Sequence, residues 1–242
     1  MAEFNLPTEE IELPSKGILY PEDNPLSSGK IEMKYMTAKE EDILTNQSYI
    51  AKGTVIDKLL QSLIVSKINY NDLLIGDKNA IMLAARILGY GPEYEFIFAG
   101  QKEKVDLTQI NNKQIDESLF TKGKNEFGFT LPHTENQITF KLLTHGDEQK
   151  IAREIEGLKK LQPDGNAEVS TRLKHSILSV NGDSDPPTIR KFVDQALLAR
   201  DARAYREYVN QIQPDIDLTF FPEGRDTKRP LPISINFFYP DA

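Results

Sequence analysis

IEMKYMTAKEEDIL, residues 31–44, carries two spacings, one straight after the other. Ile31, Met33 and Tyr35 alternate with Glu32 and Lys34, the period of a strand buried on one face. From Thr37 the spacing changes: Glu40 follows three residues on, then Glu41 and Asp42, then the apolar pair Ile43 and Leu44. Threonine with glutamate three positions later is a capping box, in which each side chain satisfies a free N–H of the first helical turn. Negative charge there also meets the positive end of the helix dipole. A strand running directly into a capped helix makes the chain α+β from its first packed element. The same reading settles what the three carboxylates are for. Consecutive helical residues point about 100° apart, so Glu40, Glu41 and Asp42 diverge instead of converging on one ion.

Upstream, residues 1–30 hold the turn-forming runs LPSKG and YPEDNPLSSG, yet Leu6, Ile11, Leu13, Ile18, Leu19 and Tyr20 are too apolar for a free tail. They read as an extended arm laid over its own domain or over a neighbour. Downstream, Thr54 with Asp57 repeats the cap signal, and Val55, Ile56, Leu59, Leu60, Leu63 and Ile64 give an amphipathic helix over 54–66. NYNDLLIGD is a turn around two buried leucines, and a further helix over about 77–88 ends at Gly89 or Gly91.

The middle of the chain turns β-rich. YEFIFA (94–99), GQKE and KVDLTQI read as one hairpin; NEFGFTL (125–131), PHTEN and QITFKLLT (137–144) read as a second. Helical periods return with Ile151, Ile155, Leu158 and Leu161 on one stripe, closed by Pro163 and Gly165. A second helix over 166–180 carries Val169, Leu173, Ile177 and Val180, a third starts at Thr188, and a fourth follows Asp201 with Tyr205, Tyr208, Val209 and Ile212. DIDLTFF (215–221) and LPISINFF (231–238) read as a last hairpin. The expected architecture is α+β: an N-terminal extended arm and strand, then two helical segments each followed by β-hairpins. Its segments are an arm and strand at 1–36, a helical unit at 37–92, hairpins at 93–144, a helical unit at 145–214 and a C-terminal hairpin at 215–242.

Composition limits the function classes. The 242 residues carry a formal charge of −8, with 27% charged and 39% apolar residues. That balance argues against a nucleic-acid binder, which needs clustered positive charge. There is no cysteine, so disulfides, thiolate nucleophiles and cysteine-ligated zinc are excluded. No stretch approaches a membrane span, since AIMLAARIL (80–88) is broken by Arg86, and the first residues do not read as a signal peptide. The expectation is a soluble intracellular chain.

Catalytic signatures are missing. His133, His145 and His175 stand far apart in unrelated contexts. NGDSD (181–185) starts like a calcium loop, but Pro186 stands where glycine is needed and Phe192 where glutamate is. GYGPEY (89–94) follows a helix, so it is a helix stop and not a phosphate cradle. Tyr205 and Tyr208, interleaved with Arg200, Arg203 and Arg206, read as rings packed inward with arginines outward; Arg203 and Arg206 suit an acidic partner surface. A metal-dependent hydrolase using scattered His and Asp residues is the alternative reading.

LPSKGILYP (13–21), KYMTAKEEDIL (34–44), LLIGDKNAIMLAARILGYG (73–91) and the terminal FFYP (237–240), taken in order, resemble the baseplate hub family of contractile-tailed, T-even-like phages. That family includes a hub subunit and a related hub assembly catalyst. The likeness runs through most of residues 13–110 and returns in 200–240. It implies no enzyme and no cofactor. It implies contacts with other hub or tail proteins, the tape-measure protein among them, in the host cytoplasm during assembly or in the virion baseplate. Family members often carry paired cysteines, like small zinc knuckles, in the segments matching FAGQKE (98–103) and FPEGRD (221–226). Here Ala99, Gln101, Pro222 and Arg225 stand in those stretches, so no metal function carries over. The contact residues expected on this reading are Leu13, Ile18 and Tyr20 of the arm, Arg203 and Arg206, and Phe237, Phe238 and Tyr239 at the C-terminus. For the C-terminal aromatics, packing onto the chain's own core is the other possibility.

Overall fold

The computed structural model describes residues 7–161 and 165–238, so Leu6, Pro163 and Tyr239 lie outside the described residues. The arm returns as a strand: β1 (Thr8–Glu12) runs antiparallel to β2 (Lys30–Lys34), with Ile11 opposite Ile31. Between them the chain doubles back, and the Leu13 N–H donates to the Gly29 carbonyl at 2.8 Å. Gly17 and Gly29 face each other across this loop with φ of +74° and +71°, and a Cβ on Gly17 would sit 2.4 Å from the Ser27 carbonyl oxygen. Only glycine fits both the backbone and the space. Leu13, Leu19, Tyr20 and Leu26 are buried, so the arm lies over its own domain.

β2 leads into α1 (Ala38–Leu44) through the capping threonine. The Glu40 carboxylate accepts from the Thr37 N–H at 3.0 Å and from the Thr37 hydroxyl at 2.6 Å, while Glu41 and Asp42 are exposed. α2 (Gln47–Ala51) is capped by Asn46, and α3 (Val55–Leu63) buries Val55, Leu59, Leu60 and Leu63. The second expected cap does not form. Thr54 makes no capping bond, because Asp57 turns away to the Tyr70 hydroxyl and the Lys78 ammonium. α4 (Ile75–Tyr90) begins two residues earlier than its spacing indicated.

β3 (Glu93–Phe98) and β4 (Gln101–Asp106) form the first hairpin. Its turn is Ala99–Gly100, at φ +51° and +83°, the two-residue type whose twist matches the strands, so of GQKE only Gly100 is in the turn and Gln101 begins the second strand. β5 (Phe127–Thr130) and β6 (Gln137–Phe140) follow as expected. α5 (His145–Leu161) buries only Ile151 of its apolar stripe, and Leu161 is 81% exposed. α6 (Glu168–Ser176) ends earlier than its stripe indicated, and Ile177–Val180 becomes β7, the third strand beside β6. The apolar positions Leu173, Ile177 and Val180 were correctly placed inside; the period was not. The β6 edge offers hydrogen bonds that a helix would forgo, and the Asn181–Gly182 turn closes the pairing.

α7 (Pro186–Gln195) has Asp185 as its cap and proline in its first turn, and α8 (Ala199–Ile212) follows. The last hairpin is shorter than expected. β8 (Thr219–Phe220) pairs with β9 (Arg229–Pro230), and Ile235–Phe238 turns into the short helix α9 because Phe237 and Phe238 pack inward. One apolar core runs from Leu13 to Phe238.

Candidate interaction surface

Two of the expected contact regions are internal keys. Asp77, in the first turn of α4, is fully buried. It accepts from the Ser15 N–H at 2.9 Å, the Ser15 hydroxyl at 2.7 Å and the Tyr20 hydroxyl at 2.6 Å. The Tyr20 oxygen in turn accepts from the Leu74 N–H at 2.9 Å. Burial pushes the Asp77 carboxyl above the usual carboxylate range, and the nearby Asp215 adds to the rise, against the bonds from Tyr20 and Ser15. Beside it, Gly76 lies so close to the 214–215 backbone that a Cβ there would meet the Pro214 oxygen at 1.8 Å. Leu13 and Tyr20 are therefore core residues and not the free contact surface they were expected to form; Ile18 is half-buried.

The C-terminal aromatics behave likewise. Phe237 and Phe238 are fully buried, so they too are corrected from surface to core. Phe237 packs edge-on against Tyr94 at 4.9 Å, and the Arg86 guanidinium lies over Tyr90, Tyr94 and Phe237. Arg86 also donates to the Gly91 and Glu93 carbonyls at 2.7 and 2.8 Å, tying the end of α4 to β3. Packing these rings around a guanidinium gains both dispersion and cation–π attraction.

The histidines remain apart. The His133 N–H donates to the buried Asp201, which also accepts from the Thr134 N–H and hydroxyl and so pins the β5–β6 turn to α8. His145 sits against Lys78 at 3.2 Å and Gln149 at 3.0 Å, with Asp57 at 3.8 Å. Burial first, and the Lys78 ammonium second, hold the His145 imidazole below its ordinary value. His175 meets Glu154 at 2.8 Å, and Arg190 forks onto the same carboxylate at 2.6 and 2.9 Å. Among the described residues no three of His, Asp and Glu gather as a metal-holding group.

The segments FAGQKE and FPEGRD, far apart in sequence, do meet. Phe220 packs edge-on against Phe96 at 4.9 Å and Phe98 at 5.3 Å, Arg225 lies over the Phe98 ring, and the Glu103 carboxylate accepts from the Glu223 N–H. Aromatic packing holds these loops together without a thiol.

The expected residues that do face outward are Arg203 and Arg206 of α8, with Tyr205 between them turned inward as its spacing indicated. Arg203 pairs with Glu207 one turn on, whereas Arg206 lines a groove of about 360 Å³ between α6 and α8. The floor is Ile75, Leu143, Val169, Leu173, Tyr205 and Val209. The Tyr205 hydroxyl donates to the Ser176 hydroxyl at 3.0 Å, which leaves its ring as apolar wall. Val169, Leu173 and Val209 had been legible only as core stripes, since nothing in a helical period shows that two stripes stop short of closing on each other. No helix of the described residues is long and apolar enough to cross a membrane.

Comparison of the chain with family models, curated proteins and solved structures finds no match.

Proposed function

We propose that the chain is a non-catalytic assembly protein of a contractile phage tail, acting at the baseplate hub through contacts with other hub and tail proteins. The observation that supports this reading is that the motifs carrying the resemblance are keyed to one another. Ser15 and Tyr20 of LPSKGILYP bind Asp77 of LLIGD, and the terminal Phe237 packs on Arg86 of AARILGYG. Glu40 of KYMTAKEED is held by Lys34 and Thr37 of the same motif. Motifs that lock a fold together are what related chains would have in common even where their surfaces differ. The groove between α6 and α8 and the outward arginines supply a surface for contact, while the arm and the C-terminus hold the scaffold.

The deciding measurement is quantitative mass spectrometry of purified infectious particles beside the infected-cell lysate, with a knockout of the gene. Stoichiometric presence in particles would make the chain a structural hub subunit. Abundance in lysate, absence from particles and tail-less knockouts would make it an assembly factor. Normal tails in the knockout would end the reading.

A further inference from the structure

The groove between α6 and α8 joins an apolar floor to a cation that no carboxylate of the described residues engages. Arg172 on its rim is already met by Glu148 and Glu168, and Lys141 by Asp147. Arg206 is exposed and donates only its Nε–H, to the Ala202 carbonyl of its own helix at 3.2 Å. Its terminal N–H groups have no carboxylate among the described residues, so they remain available as a two-pronged donor. We propose that this groove seats an acidic amphipathic helix of a partner protein, with aliphatic side chains on Val169, Leu173 and Val209 and a carboxylate on Arg206. This rests on the reading of the chain as a partner-binding assembly protein and gives that protein a site.

The form of the occupant follows from the walls. Both are helices whose backbone groups are bonded internally, so an extended strand would find no main-chain partners there. A helix brings its own backbone satisfied and offers only side chains. The sign follows from Arg206. A second copy of this chain is a poorer fit, since the exposed leucines of α5, Leu158 and Leu161, lie beside Lys159, which has no ion pair among the described residues and would bring a cation to a cation.

The test uses the full-length purified chain and two labelled peptides of about 14 residues, roughly four helical turns. Both carry leucines at helical spacing; one has glutamates on its flanks and its twin has lysines. In fluorescence anisotropy the glutamate peptide is expected to bind about tenfold or more tighter than the twin, an advantage that shrinks with added salt. Arg206→Glu is expected to reverse the preference, which a merely misfolded variant would not do, and Val209→Asp to abolish binding of both. Equal binding of the two peptides, binding of neither, or an unchanged preference in Arg206→Glu would overturn the proposal. So would a dimer in sedimentation that Val209→Asp dissociates, which would give the groove to a second copy. None of these outcomes touches the assembly reading, which the particle and lysate measurement decides separately.

Discussion

Asp77 is buried with three donors around it and, among the described residues, no ion-pair partner. Replacing it by alanine strands the Ser15 N–H, the Ser15 hydroxyl and the Tyr20 hydroxyl together. The expected cost is about 3 kcal/mol or more, read from the urea midpoint. Tyr20→Phe is expected to cost about 1–3 kcal/mol, because the Leu74 N–H loses its acceptor inside the core. The carboxyl also sets a pH dependence. Its folded pKa lies above the ordinary value, so the folded chain holds this proton more tightly than the unfolded one. The contribution of Asp77 to stability therefore falls as pH rises from about 4, the ordinary aspartate value, through the folded value. Asp77→Asn removes that fall, and denaturation at a series of pH values should show the variant gaining on the wild type upward from there. A flat difference would refute it. None of this was legible in LIGD, which read as a turn. Its donors stand 62 and 57 residues upstream, and no local spacing reports such a pairing.

At the scale of elements, the local signals that held belong to elements whose partners are close in sequence, although the Thr54–Asp57 cap shows that closeness alone is not enough. The Thr37–Glu40 cap and the β5–β6 hairpin needed only their neighbours. β7 was misread because its partner β6 lies about forty residues back, and a stripe at 173, 177 and 180 suits a helix as well as a buried strand. The α5–α6–α7 layer shows how such elements are then held. Glu154 of α5 takes Arg190 of α7 and His175 of α6, and these bonds, Arg190 first, bring its pKa from 4.5 down to about 2. A depressed folded pKa means that this stabilisation is present above the ordinary glutamate value and is lost as pH falls from 4.5 towards 2. Glu154→Gln should be less stable than the wild type at neutral pH, and the gap between their thermal midpoints should close across that acid window. A gap independent of pH would mean that the clamp acts by packing alone.

Over the whole molecule, the two ends of the chain hold the middle. The arm is tied to the first turn of α4 through Ser15 and Tyr20 on Asp77. At the other end, the Asp215 carbonyl accepts from the Lys113 N–H at 2.8 Å, the Asp217 N–H donates to the Asn111 carbonyl at 2.8 Å, and Phe237 closes over Arg86 and Tyr94. The hydrophobic pattern marked these residues as apolar and could not say whom they cover, which is why both the chain's own core and a partner stood open for the arm and the terminal aromatics. Because they are core, removing the arm through Tyr20 should give an insoluble chain and not a soluble, assembly-deficient one. Assembly defects are better sought with Arg206 variants, which leave the core intact. The same closure predicts that unfolding is a single event. One core with interlocked ends cannot release its last segment without exposing Tyr94 and the buried Arg86, a loss of several large apolar contacts and of the Phe237 ring over the guanidinium. Far-ultraviolet circular dichroism and tyrosine fluorescence should therefore trace one coincident urea transition. A chain ending at Gln213 should lose that transition altogether instead of shifting it. If the shortened chain still melted cooperatively at the wild-type midpoint, the C-terminal segment would be an appendage and the continuous core would not be what holds the fold.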